Sequence, residues 1–306
     1  MLFDTGKIKI RSKQGQASLS WAAMNGYEAI VKLLLETGEV EIDSKDNDGC
    51  TPLLWAALFN REAVVKMLLD TGKVDVDSKD NHGQTPFSYA AMSKNETLIQ
   101  ILLDTGKVDV DSKDNDGRTP LSHAAWYGRE AVIKLLLDTD KVDVDSKDKD
   151  GRTPLSWAAK NHDDVVVKML LDTGKVDVDS KDNDGRTPLS HAAWYGREAV
   201  IKLLLDTDKV DVDSKDNDGR TPLSWAAESG NEAVVKMLVD TGKVDIDSKD
   251  IDGQTPLSWA AESGSKTTVK VLLSRGCAPI YLSDNSGQTP LSWAAMEEEV
   301  KRSCYS

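Results

Sequence analysis

Residues 216–249 read DNDGRTPLSWAAESGNEAVVKMLVDTGKVDIDSK, and this stretch decides the fold. Asp216-Asn217-Asp218-Gly219 is a tight-turn sequence, because Asp and Asn side chains bond the nearby backbone and Gly accepts positive φ. Thr221 is then placed as N-cap, with Pro222 at the first helical position, where its missing N–H and fixed φ cost nothing. This first helix is expected to end near Ser229, with Gly230 supplying the left-handed residue that stops it. Ala226 and Ala227 present almost no side chain, so a neighbouring backbone can approach closely. A second helix starts at Asn231-Glu232, and its Val234, Val235, Leu238 and Val239 fall on one wide buried stripe. Thr241-Gly242 ends it, and Lys243 to Lys249 are expected to return extended to the next turn.

The unit repeats. Thr-Pro-Leu recurs every 34 residues, at Thr51, Thr85 (as Thr-Pro-Phe), Thr119, Thr153, Thr187, Thr221, Thr255 and Thr289, with a degenerate Ala17-Ser18-Leu19 one period earlier. A period of this length means stacked supersecondary units, none of which buries its apolar face alone. No Pro/Ser-rich linker interrupts the pattern, so the chain reads as one array over 1–306. Its partial repeat 1–11 is followed by repeats 12–45, 46–79, 80–113, 114–147, 148–181, 182–215, 216–249 and 250–283, and by a partial repeat 284–306. Neither end shows an evident polar cap, which leaves fraying ends and a piece of a longer protein as alternatives.

Composition narrows the function classes. The formal net charge is -14 and no Lys/Arg-rich arm is present, which argues against direct nucleic-acid binding. Cys50, Cys277 and Cys304 are far apart and form no C-x-x-C pair, so neither a disulfide framework nor a zinc site is indicated. Residues 1–14 lack a signal-peptide core, and no run of about 18 apolar residues occurs. The chain reads as a soluble intracellular monomer, cytoplasmic or nuclear, without cofactor, metal or membrane contact.

The order Asp-x-x-Gly-x-Thr-Pro-Leu, Ala-Ala, Gly and Val-Val-Lys-x-Leu-Leu resembles the ankyrin repeat over essentially the whole chain. The resemblance implies an all-α ankyrin-repeat solenoid of paired antiparallel helices with projecting β-turn or hairpin loops. It also implies a non-catalytic scaffold that binds a protein partner on the concave face made by the turn tips and first helices. Two departures are regular. Ser156, Ser224 and Ser258 stand where the family has His after Thr-Pro-Leu, which implies a weaker or rewired tie between adjacent turns, and the loop after the second helix is one residue longer. The Asp-Thr-Gly-Lys-Val-Asp-Val-Asp wording is similar to ankyrin arrays of filamentous fungi. It implies the recognition array of a larger fungal sensor protein; a transcription co-regulator acting through a DNA-bound partner is the alternative.

Function must lie in positions that vary between copies. The slot two residues after the fixed Leu holds Trp21, Trp55, Tyr89, His123, Trp157, His191, Trp225, Trp259 and Trp293, a recurrence that points to packing. Where His replaces Trp, an aromatic pair follows three residues later: Trp126-Tyr127 and Trp194-Tyr195. The same register carries Leu58-Phe59, Met92-Ser93, Lys160-Asn161, Glu228-Ser229 and Glu262-Ser263 elsewhere. The residue before Thr-Pro-Leu is Arg118, Arg152, Arg186 or Arg220 in the central copies. Trp, Tyr and Arg dominate interface hot spots, so these eight residues form the candidate partner site, with the two pairs about 20 Å apart if helices stack at about 10 Å. The competing reading is that Trp126 and Trp194 lean on neighbouring repeats while the arginines pair with Asp116, Asp150, Asp184 and Asp218. Residues 102–148 are identical to 170–216, so the second aromatic pair can be a copy made by duplication.

Other motifs weigh less. Asp111, Asp114, Asp116 and Gly117 mimic the start of a calcium loop, but Ser112 takes the first ligand position and His123 the twelfth; the aspartates read as turn-formers. His82, His123, His162 and His191 occupy unrelated or core slots, and Asn95-Glu96-Thr97 is a formal glycosylation sequon without meaning inside a cell. Asn60, Lys94 and His162 replace the helix-ending Gly. Lys94 is the least suited to positive φ, so 80–113 is expected to be the softest internal unit.

Overall fold

The computed structural model describes residues 18–161, 163–276 and 280–296. Cys277, Cys304, His162 and the partial repeat 1–11 lie outside them. The described residues are helical, without a strand, and divide into two compact units between Lys149 and Asp150. In the first unit, the first helices of the repeats are α1 (Ser18–Asn25), α3 (Pro52–Leu58), α5 (Pro86–Met92) and α7 (Pro120–Trp126), and the second helices are α2 (Glu28–Thr37), α4 (Glu62–Asp70), α6 (Glu96–Leu103) and α8 (Glu130–Leu137). The second unit has first helices α9 (Pro154–Lys160), α11 (Pro188–Trp194), α13 (Pro222–Glu228) and α15 (Pro256–Glu262), and second helices α10 (Asp164–Asp172), α12 (Glu198–Leu205), α14 (Glu232–Asp240) and α16 (Lys266–Ser274).

Within each unit two helical layers form. First helices pack on first helices (α1 on α3 on α5 on α7; α9 on α11 on α13 on α15), and second helices likewise. The paired alanines make this possible: Ala192, Ala193, Ala226 and Ala227 are completely buried. Val234, Val235 and Leu238 bury the inner stripe of α14, while Val239 is half-buried at its edge.

The start and stop signals act as read. The Thr221 hydroxyl accepts from the Ser224 amide at 3.3 Å, and the Ser224 hydroxyl returns the bond to the Thr221 amide at 3.4 Å, a capping box. Ser in place of the family's His therefore closes its own helix start. The tie between turns is made elsewhere. The Asn217 amide donates to the Asp184 carbonyl at 2.9 Å, and its side chain donates to the Asn183 carbonyl at 2.8 Å. Gly185 (φ 80°) is required here because a Cβ would stand 2.7 Å from the Asn217 nitrogen. A second tie uses Asp213, whose carboxylate accepts from the Asp245 amide of the next repeat at 2.6 Å.

Two expectations change, and a third takes one of its two forms. The stretch Lys243 to Lys249 is not uniformly extended, since it contains a turn at 246–247. The projecting loops are turns, the first of the two forms expected: Asp216 and Arg220 close one by an amide-to-carbonyl bond of 3.0 Å, without a strand ladder among the described residues. Lys94 does not adopt positive φ. Helix α5 instead ends in an extended Ser93 (ψ 172°) whose hydroxyl binds the Ala90 carbonyl and the Asn95 amide. Only Asn60 (φ 54°) and Asp140 (φ 53°) are non-Gly residues with positive φ among those described. The positive-φ argument for softness at 80–113 therefore does not apply at Lys94, while Ser93 and Thr97, weaker helix formers than their counterparts in other repeats, still stand in that unit.

Candidate partner-binding site

The recurrent aromatic slot anchors the turn below it. Seven times among the described residues, the slot's polar atom reaches the carboxylate nine residues earlier: Trp55 to Asp46 (2.7 Å), Tyr89 to Asp80 (2.8 Å), His123 to Asp114 (2.9 Å), His191 to Asp182 (2.9 Å), Trp225 to Asp216 (2.9 Å), Trp259 to Asp250 (2.9 Å) and Trp293 to Asp284 (3.0 Å). The other carboxylate oxygen accepts from two turn amides; for Asp182 these belong to Asp184 (3.0 Å) and Arg186 (2.9 Å). Each turn is thereby bolted to its own first helix, and the residue before Thr-Pro is held in a fixed place. The packing expectation holds for Trp157 and Trp225, each 6% exposed, and fails for Trp21, 44% exposed.

Where His fills the slot, its aspartate is shifted down. Burial pushes the Asp182 carboxyl up, but the His191 bond and the turn amides outweigh it, so the acid lies below its ordinary range. Asp114, facing His123, behaves alike. Asp216 faces the neutral Trp225 indole instead, and burial leaves it raised. Both oxygens of Asp114 serve the turn and the helix, so it is a turn-former as read.

In the first unit, Arg118 reaches Asp116 at 3.4 Å. Trp126 is half-buried at the end of α7, and Tyr127 is exposed beside it with the Arg129 guanidinium 5.6 Å from its ring centre. Gln84, the counterpart of the arginines one repeat earlier, donates to Asp114 at 2.7 Å and contacts His123 at 3.2 Å.

The second unit brings Arg152, Arg186, Arg220, Trp194 and Tyr195 together around a cleft of about 370 Å³, with Lys160, His191 and Trp225 completing its walls. Trp194 stands edge-on to Trp225 with ring centres 4.7 Å apart, so it does lean on the next repeat, yet it is still 36% exposed. The cations lie over rings: Arg186 and Arg220 over Trp225 (4.8 and 4.5 Å), Arg220 over Trp259 (3.5 Å), Arg152 over Trp157 (5.0 Å) and Lys160 over Tyr195 (5.3 Å). Such contacts orient a guanidinium while leaving edge N–H groups for other bonds.

The aspartate pairing holds for Arg152 with Asp150 (2.9 Å) and Arg186 with Asp184 (3.1 Å). Arg220 is different: it pairs with Glu228 of α13 at 2.8 Å, not with Asp218. The packing of Trp225 under two arginines leaves the guanidinium nearer the helix acid than the turn tip. Lys160 and Trp225 escaped the sequence reading as site residues. Lys160 occupies the same register as Trp194, which was the available signal; Trp225 was read mainly as packing.

The 34-residue sequence period runs along the chain, and a model of three ankyrin repeats matches residues 2–80, 72–148, 140–216, 167–250, 208–280 and 242–302. The chain belongs to the ankyrin-repeat family. Ankyrin repeats are non-catalytic modules of protein–protein interaction, and the coarse function of this chain follows from that membership. A search of curated proteins returns no match. No described helix of this ankyrin-repeat protein is long and apolar enough to cross a membrane, and no group of three His, Cys, Asp or Glu side chains among the described residues is arranged to hold a metal ion. Cys50 is buried, and burial first, with nearby aspartates second, pushes its thiol up to about 12.

Proposed function

We propose that the protein partner docks on the face carrying the turn tips and first helices, with its principal contact in the second unit at the Arg152–Arg186–Arg220 row and the Trp194-Tyr195 pair. The observation that carries this reading is the cleft itself. It gathers exposed aromatic edges and ring-held cations, the residue types that concentrate binding energy, on turns whose backbone is held by the aspartate bolts. Pre-ordered side chains lose little entropy on association. Arg118, Trp126 and Tyr127 offer the same residue types in the first unit and form a second contact of lower rank, because Gln84 there stands where Arg152 stands in the second unit.

The sensor-array and co-regulator readings both use this surface. The identity of 102–148 with 170–216 favours the sensor array, since duplication of repeats re-cuts a binding surface without altering the fold. Capture of partners from cell extract by the full chain, compared with Trp194→Ala/Tyr195→Ala and Trp126→Ala/Tyr127→Ala after matching their circular dichroism, tests the ranking. Loss confined to the 194/195 variant supports it. Undiminished capture by that variant refutes it.

A further inference from the structure

We infer that the Trp194-Tyr195 end of the second-unit cleft takes an uncharged polyproline II segment of the partner, with a proline ring against the Trp194 indole and backbone carbonyls accepting from the Trp194 Nε1–H and the Tyr195 Oη–H. This rests on the docking reading above and adds the partner's chemistry. The polar atoms of the slot aromatics are used inside the fold: the Trp225 and Trp259 indoles each donate to an aspartate at 2.9 Å. Trp194 and Tyr195 stand outside that pattern. The Trp194 ring meets Trp225 edge-on, and the Tyr195 ring lies near Lys160 and Arg197. Both side chains reach the surface, and neither the Trp194 N–H nor the Tyr195 hydroxyl has a hydrogen-bond partner among the described residues. The cleft arginines, by contrast, are engaged: Arg152 pairs with Asp150 and lies 4.0 Å from Asp182, Arg186 pairs with Asp184, and Arg220 pairs with Glu228. The open hydrogen-bonding groups at this end are therefore two neutral donors on exposed rings.

Donor and acceptor matching then selects the occupant. A cleft of about 370 Å³ is near the lower end of the range of about 300–1,000 Å³ for ligand pockets, so it admits a short stretch of chain. In a β-like stretch every residue brings an N–H that needs an acceptor, and no lining residue carries a carboxylate or carboxamide. The Ser190 hydroxyl is shared with Thr187, and the His191 Nε2 with Asp182. Proline has a carbonyl and no N–H, and polyproline II leaves its carbonyls free of internal bonds. Such a segment presents acceptors alone, the complement of two open donors. Aromatic-lined grooves take proline-rich segments in this mode, and a chain whose φ is already fixed loses little entropy on docking. Charge selects as well: an acidic segment meets Asp150 and Asp184 at the rim, and a basic one meets the cations of the wall.

The test is fluorescence anisotropy of the full chain with two labelled, end-blocked peptides, Ala-Pro-Pro-Ala-Pro-Pro-Ala and Ala-Ser-Ser-Ala-Ser-Ser-Ala. The proline peptide is expected to bind about tenfold more tightly than the serine peptide and to change less than about twofold as salt rises, since no charge pair forms. Trp194→Ala, which removes ring and donor together, should weaken it about tenfold. Tyr195→Phe removes only the hydroxyl and should weaken it about threefold, the share of one neutral hydrogen bond; this variant keeps its ring, so the test stands should Trp194→Ala disturb Trp225. Equal binding of the two peptides, a Tyr195→Phe effect that is absent, a steep loss with salt, or tighter binding of an acidic peptide would overturn the inference. If Trp194→Ala/Tyr195→Ala abolishes partner capture while the proline peptide fails to bind, the docking face stands and the proline chemistry falls. If neither depends on these two residues, both fall.

Discussion

Removing the Asp216 carboxylate should open one turn far more than its neighbours. Asp216 accepts from the Asp218 amide (3.0 Å), the Arg220 amide (2.8 Å) and the Trp225 indole (2.9 Å), and all three bonds are lost in Asp216→Ala. Hydrogen bonds to a charged group contribute roughly 1.5 kcal/mol each at the low end, so three sum to about 4–5 kcal/mol before water replaces part of the loss at the turn amides, leaving about 3 kcal/mol. That is about a hundredfold in an opening equilibrium. Asp216→Asn keeps one oxygen for the turn amides but sets an amide N–H₂ against the indole N–H, for a cost of about 1–2 kcal/mol. Amide exchange read by mass spectrometry is the suitable assay, because repeat arrays open locally and a single midpoint hides this. Exchange over the segment 214–226 should rise about a hundredfold in the Ala variant and about tenfold in the Asn variant, each from the energies above. Acceleration below threefold in Asp216→Ala, or equal effects of Ala and Asn, would refute the bolt as the element that fixes the turn.

Three further outcomes are expected. Trp225→Ala should destabilise by about 3–5 kcal/mol because a buried indole leaves a cavity, whereas the more exposed Trp194→Ala should cost about 1 kcal/mol; denaturant unfolding of the two variants checks the contrast. Asp179 is raised by burial, then by Asp211, while the Asp211 amide bond opposes this. A carboxylate raised in the fold costs stability at neutral pH, and the cost disappears as pH falls through its folded value toward the ordinary range. Asp179→Asn should therefore stabilise at pH 7 and lose that advantage near pH 4, as thermal melts across pH would show. Asp140→Gly should stabilise by about 0.5–1 kcal/mol, because Gly adopts positive φ without the side-chain clash that Asp meets at 53°.

The parts of the fold that depend on near neighbours were legible. Thr221 and Pro222 specify a helix start within three residues, and Gly230 specifies its end, so no tertiary information was required. Lys94 was misread because a helix can also end in an extended residue when Ser93 and Asn95 supply the replacement bonds. The bolt from the aromatic slot to the aspartate crosses a turn and nine residues, beyond local rules. A signal was nevertheless present: the slot admits Trp, Tyr and His but never Phe, and packing alone would not discriminate against a ring without a polar atom. At the site, Arg152, Arg186, Trp194 and Tyr195 were identified by residue type and register. The choice of Glu228 by Arg220 was not, because it depends on how a guanidinium lies across Trp225 and Trp259.

The central claim is that partners dock on the turn and first-helix face of the second unit. A photo-crosslinking residue placed at Tyr195, on that face, and separately at Lys202, exposed on α12, tests it most directly in the full chain. The account predicts a crosslinked partner from position 195 and none from position 202. Crosslinking from 202 with none from 195 would contradict it.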